Sequence, residues 1–252
     1  MDLANKNVVV TGGTRGLGLG IVEELVQHGA RVTVVARGAE DLAAVAGRLG
    51  VATIGADITD KAAAFEIVAQ ERPDILILNA GAKPPMERLD QMSWDDFSQA
   101  WEQDVKGGLF WIQAALSTPL AGGSRVLVGS SGAAVEGSQR SGGYAGAKKM
   151  LWFMTKYANG VSQELGLGIR FQAILPRMMI LGTGIGDQAA GAYAASMNIT
   201  PEDFVSRFGS PMPPRAFGRH VASVLMDPQF SDGVVFGLNG DDGVKIMENV
   251  KT

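Results

Sequence analysis

The 252-residue chain contains no cysteine. That excludes disulfides, thiol nucleophiles and cysteine-based zinc sites together. Its two histidines, His28 and His220, are too few for a histidine-rich metal site. There is no basic excess: 22 Lys and Arg stand against 26 Asp and Glu, a formal charge of −4. Neutralising phosphates takes a basic face, so no nucleic-acid partner is expected. No apolar run approaches the roughly 20 residues of a membrane span. Met1 to Asn7 is polar and lacks the basic start and long apolar stretch of a signal peptide. A cytoplasmic location is the default expectation. What is present is 46% hydrophobic and 19% charged residues, too apolar a mixture for a disordered chain.

Short β-branched runs alternate with longer helical patterns. The runs at 8–10, 32–35, 52–55, 75–78, 126–128, 169–175 and 234–238 predict strands. The periodicity predicts helices over 16–28, 39–49, 60–71, 94–101, 105–116 and 144–165, with Asp60 and Ser93 as N-caps. This rhythm predicts a single-domain α/β fold: a Rossmann-type, doubly wound sheet of parallel strands with helices on both faces. No linker and no internal repeat interrupts it. One segment, about 178–215, reads as irregular, with Gly182, Gly184, Gly186, Pro211, Pro213 and Pro214 and a helix near 201–208. A long insertion of this kind is usually a lid or binding loop.

Between strand one and helix one lies Thr11-Gly12-Gly13-Thr14-Arg15-Gly16-Leu17-Gly18. Small residues there let the backbone approach a pyrophosphate, and the helix N-terminus offers free N–H groups. The spacing is neither G-x-G-x-x-G nor a Walker loop, since no Lys-Ser/Thr follows. An acidic residue ending strand two would hold a ribose 2′-hydroxyl. Here that strand ends Val35-Ala36-Arg37. Arg15 and Arg37 suit a 2′-phosphate, hence NADP(H). The alternative is two solvated surface arginines.

Tyr144 and Lys148 are four apart, so on a helix they share one face. A tyrosine has a reference pKa of about 10, and a nearby ammonium stabilises its phenolate, which suits it to acid/base work. Ser131 follows strand five at its carboxyl end, the end that faces the ligand crevice in an open parallel sheet. Its hydroxyl suits a substrate carbonyl or alcohol.

Taken together, Thr11-Gly12-x-x-x-Gly16-x-Gly18, Asp57, Asn79-Ala80-Gly81, Ser131, Tyr144, Lys148 and Pro176 make the chain resemble the short-chain dehydrogenase/reductase family over essentially its whole length. The resemblance implies a seven-stranded parallel sheet, commonly assembled as a homotetramer. It implies that Asp57, with Ile58 beside it, meets the adenine. It also implies that Asn79-Ala80-Gly81 and Pro176 line the cofactor. Lys148 would bind the nicotinamide ribose, Tyr144 would be the acid/base and Ser131 would orient the substrate oxygen. The helix from Tyr144, with Trp152, Phe153 and Met154, is then a subunit interface or plain core.

Two positions depart from the family. Its usual Asn-x-x-Gly after strand four is Asp104-Val105-Lys106-Gly107 here, and its Pro-Gly is Pro176-Arg177. Asp104 still has a main-chain carbonyl to offer a proton relay, but it brings an extra anion near Lys148. Arg177 is either a contact for an anionic group or a tolerated surface residue, the second being preferred. Met178, Met179 and Ile180 line a substrate pocket or pack the lid. The expected activity is interconversion of a carbonyl and an alcohol with NADP(H), in the reducing direction by the resemblance. Its rival is a non-catalytic NADP(H)-binding or interaction protein with a site weakened at Asp104. A sugar epimerase would carry T-G-x-x-G-x-x-G and a longer C-terminal domain. A cofactor-free lyase would not need the intact phosphate turn.

Overall fold

A strand covered on both faces has no polar side to show, so its residues are apolar throughout. In the computed structural model, which describes residues 1–83, 85–178, 180, 183–207, 212–240 and 242–249, such runs form one eight-stranded sheet. Its strands are β1 (Asn7–Thr11), β2 (Arg31–Ala36), β3 (Ala52–Gly55), β4 (Ile75–Leu78), β5 (Arg125–Gly129), β6 (Arg170–Pro176), β7 (Gly233–Asn239) and β8 (Gly243–Asn249). They lie in the order β3-β2-β1-β4-β5-β6-β7-β8. The first seven are parallel, and Val10 sits opposite Val34 on one side and Ile77 on the other. The order reverses between β1 and β4, which opens a crevice beyond their carboxyl ends.

The helices are α1 (Gly16–Gln27), α2 (Ala39–Leu49), α3 (Lys61–Glu71), α4 (Trp94–Ala100), α5 (Lys106–Ser117), α6 (Gly142–Glu164), α7 (Gly184–Met197), α8 (Pro201–Ser206) and α9 (Pro214–Met226). Strand side chains alternate between the two layers. Val8, Val10, Ile75 and Ile77 pack with Ile21 and Leu25 of α1 and Phe217 and Val221 of α9. Val9, Leu76 and Leu78 pack with Ile67 of α3, Trp111 of α5 and Leu151 of α6. Each fully buried aliphatic side chain contributes about 1.5–3 kcal/mol relative to exposure. Local signals set the helix ends: Asp60 accepts from Ala62 N at 2.9 Å and Ala63 N at 3.2 Å, and Gly50 closes α2 at φ 67°.

Two expectations need correction. The sheet has eight strands, not seven, because β8 returns antiparallel to β7. Its apolar alternation, Val244 and Ile246, is broken by Met247-Glu248, which hides it from a period-2 search. The segment 178–215 is mostly helical among the described residues. α7 is alanine-rich, an intrinsic preference that prevails over its glycines. Thr183 caps it, accepting from Gly186 N at 3.1 Å, and Asn198 ends it at φ 55°. α8 holds the helix expected near 201–208, and Ala190, Ala194, Phe204 and Val205 give α7 and α8 a small core of their own. Met179, Gly182 and Pro211 lie outside the described residues. Of the trio read as interface or core, Trp152 and Met154 are core residues and Phe153 faces outward. Among the described residues no helix is long and apolar enough to cross a membrane.

Candidate active site

The glycine turn between β1 and α1 is braced from behind. Thr11 Oγ1 accepts from Asn79 N at 3.1 Å and Ala80 N at 3.2 Å, which ties β1 to the loop after β4. Asn79 Nδ2 donates to Gly12 O at 3.2 Å. Gly12 has φ 69°, and a Cβ there would stand 2.8 Å from Ala80 Cα, so no other residue fits. Arg15 is the N-cap of α1 and supplies no side-chain cap. The first-turn N–H groups of α1 are therefore left for an anion. These features fit a dinucleotide pyrophosphate. Thr14 and Leu17 belong to the same turn, Gly18 gives α1 its close approach to Gly12 O, and Thr183 at the start of α7 faces Gly16.

Arg37 follows β2 and reaches across to Asp57, Nη1 to Oδ2 at 3.5 Å. Asp57 also accepts from Thr59 N and Thr59 Oγ1, each at 2.8 Å. Those two bonds, with Arg37 adding a smaller part against some burial, hold its carboxyl below the usual carboxylate range. Ile58 O accepts from Trp111 Nε1 at 3.2 Å, which docks this corner on α5.

At the other end of the crevice, Ser131 caps the single 3-10 turn Gly132–Ala134 after β5, its Oγ accepting from Ala133 N at 3.2 Å. That turn packs on α6. Tyr144 lies in the first turn of α6, buried against Ala100 and Ala147. Trp101 Nε1 donates to Gly143 O at 3.1 Å and Ser130 Oγ to Lys148 O at 2.8 Å, so α6 is pinned on two sides. Lys148 follows one turn later, with Nζ 5.6 Å from the Tyr144 ring centre and 3.4 Å from Gly129 O. Pro176 ends β6, and Arg177 is exposed, its side chain running over Gly237 toward Met247.

Asp104 was expected near Lys148, and the contact is direct. α4 and α5 are joined by a π-turn, Trp101–Val105, the bend from which Asp104 points inward. Asp104 Oδ2 stands 3.0 Å from Lys148 Nζ, and the two side chains are 0% and 6% exposed. Oδ1 accepts from Ala82 N at 2.6 Å. Gly81 makes room: a Cβ there would lie 3.0 Å from Oδ2 and 3.2 Å from Oδ1. Burial pulls the Lys148 pKa down, but Asp104 and then Tyr144 act the other way, and the net direction is upward.

Sequence reasoning missed the contacts of α7. Tyr193 stacks on Phe204 at 5.3 Å, and its hydroxyl hydrogen-bonds Ser138 in the loop between Ser131 and Tyr144. Lys83 crosses Gly184 so closely that a Cβ there would overlap its Cε and Nζ. No local spacing signals either contact. His28, read as a helix-end residue, sits 3.3 Å from Glu24 at the end of α1.

The short chain dehydrogenase family profile matches residues 6–195. A cis-2,3-dihydrobiphenyl-2,3-diol dehydrogenase of Rhodococcus globerulus is 34% identical over 192 residues, 70% of this chain and 66% of that protein. A sorbitol dehydrogenase of Cereibacter sphaeroides is 30% identical over 185 residues, 70% of this chain and 71% of its own. Among solved structures, a short chain dehydrogenase from Burkholderia cenocepacia in complex with NADP superposes with TM-score 0.77 at 27% identity, covering 96% of this chain and 99% of that one. With the glycine turn, the sheet order and the profile match in agreement, this chain belongs to the short chain dehydrogenase family of oxidoreductases.

Proposed function

We propose that the protein is an NADP(H)-dependent reductase that converts a ketone, aldehyde or 3-oxoacyl-type carbonyl to an alcohol. The observation that carries this reading is the buried Tyr144–Lys148 pair on one face of α6, the helix on which the turn capped by Ser131 packs. When bound, the reduced nicotinamide supplies a hydride to the carbonyl carbon. Ser131 Oγ–H holds the carbonyl oxygen. Tyr144 gives that oxygen its phenolic proton, and the Lys148 ammonium stabilises the phenolate left behind. The preference for NADP(H) over NAD(H) rests on Arg37, which follows β2 at the position where an acidic residue would favour NAD(H), and on exposed Arg15 in the turn. The NADP complex of the Burkholderia relative supports it. The outward face of α6, where exposed Phe153 and Tyr157 stack at 6.3 Å, is where we place a homodimer or homotetramer contact.

The test is NADPH oxidation across ketones, aldehydes, quinones and 3-oxoacyl thioesters. With a substrate in hand, Tyr144→Phe is expected to lower kcat by at least ~10²-fold, the scale of general acid catalysis, with NADPH binding retained. NADPH binding without turnover of any carbonyl would favour a binding protein instead.

A further inference from the structure

The Lys148 ammonium is almost wholly out of water, and few fixed groups can replace its hydration. From β5 it meets the Gly129 carbonyl, at 3.4 Å, a long contact for a charged donor. Tyr144 lies one turn before it on α6. Of the other cations on hand, Lys149 sits over the Trp152 ring at 3.4 Å and Lys106 of α5 is exposed, as is Glu102 of the π-turn. Among the described residues that leaves Asp104, 3.0 Å away, as the anion that faces it. Asp104 is equally dependent. Behind it lies a cavity with room for about one water, lined largely by Ile58, Leu78, Trp111, Val128 and Leu151, none of them ionisable. Its fixed partners are Lys148 and the Ala82 N–H.

We propose that Asp104 is a positioning residue that keeps Lys148 charged and fixed in this dry site, so that the lysine meets the cofactor ribose as an ammonium even in alkaline solution. This rests on the cofactor reading above, in which Lys148 holds the ribose. With Asp104 and Gly129 O taking two of its three donors, one remains uncommitted. An uncharged residue at 104 would leave Tyr144 as the main group still acting against the desolvation of Lys148, and the lysine would shed its proton at lower pH.

The experiment measures NADPH affinity by fluorescence titration from pH 7 to 10. A Tyr144→Phe background removes the phenol as a titrating group. With Asp104 present, affinity is expected to fall less than about 3-fold over this range. With Asp104→Asn it should fall about 10-fold or more, the factor expected once the lysine's pKa lies a full unit below the upper end of that range. Parallel pH curves for the two proteins would overturn the proposal. A second readout is independent of cofactor: thermal unfolding of Asp104→Asn, Lys148→Met and the double variant. The double buries no lone ion, so it should be more stable than the sum of the two single losses allows. Additive losses would overturn the proposal, as would a double variant that fails to fold. If no variant and not even the native protein binds NADPH at pH 7, the cofactor reading falls, while the unfolding cycle still decides whether the pair exists.

Discussion

Two ion pairs of the same chemistry stand at opposite ends of the crevice. Lys148 and Asp104 are 3.0 Å apart with 6% and 0% of their side chains exposed; Arg37 and Asp57 are 3.5 Å apart with 71% and 43% exposed. Burial separates their roles. A solvated pair gains little, because water screens it and two long side chains must be ordered, so its worth is about 0–1 kcal/mol. A buried pair adds little net stability over apolar packing, yet breaking it strands a charge. The outer pair can therefore open to take a ligand, as Arg37 must if it is to meet a 2′-phosphate. The inner pair cannot open without leaving an ion unpaired, and it suits a group that has to stay in one place.

The largest effect expected from breaking this contrast is on stability at the inner pair. Lys148→Met leaves Asp104 buried without a cation and should cost about 3–5 kcal/mol in denaturant unfolding at neutral pH. The sign of the pH dependence follows from the lysine. Its folded pKa lies above its ordinary value of 10.5, so its contribution is complete below that pH and is lost as the pH rises through the folded value. The native protein should lose stability on that alkaline limb, and Lys148→Met should lack this component. Equal alkaline slopes for both proteins would show that the pair does not form.

The next effect concerns the outer pair as a ligand site. NADPH should bind more tightly than NADH by about 1–3 kcal/mol, the scale of charge-assisted contacts. Arg37→Asp should reverse the order, because it sets an anion where the phosphate would lie. Calorimetric titration of both cofactors checks this, and equal affinities in the native protein would remove Arg15 and Arg37 from the cofactor site.

The contrast also marks what the sequence could tell. The placement of Gly12 and Gly16 in a turn, of Ser131 at a strand end and of Tyr144 and Lys148 one helical period apart was legible because each depends on local spacing. The sheet through β7 was legible for the same reason. The direct bond between Asp104 and Lys148 was not, since it depends on a π-turn that swings one carboxylate inward and on Gly81 leaving space for it. The Arg37–Asp57 pair joins the ends of two neighbouring strands, a tertiary fact that spacing does not carry. α7 was hidden by its glycines, and its tie from Tyr193 to Ser138 crosses between segments that nothing in the sequence links. β8 was lost because a hairpin return breaks the βα rhythm from which the other strands were read.

The smallest expected effect is on the stability that the outer pair provides. Asp57→Asn removes the charge opposite Arg37 but keeps an oxygen that can accept from Thr59 N, now 2.8 Å away. Because Arg37 and Asp57 are well exposed, the cost should be no more than about 1 kcal/mol. It should shrink further in ~1 M salt, where the Debye length is about 3 Å. The acid limb gives the sign. The Asp57 carboxyl is held below its ordinary value of 3.8, so its contribution is present above that pH and disappears as the pH falls through the lowered value. Unfolding midpoints of the native protein and Asp57→Asn should therefore converge in strong acid and differ slightly at neutral pH. A neutral-pH loss of several kcal/mol, unaffected by salt, would mean that this corner is held as tightly as the inner pair, and the distinction drawn between the two ends of the crevice would not stand.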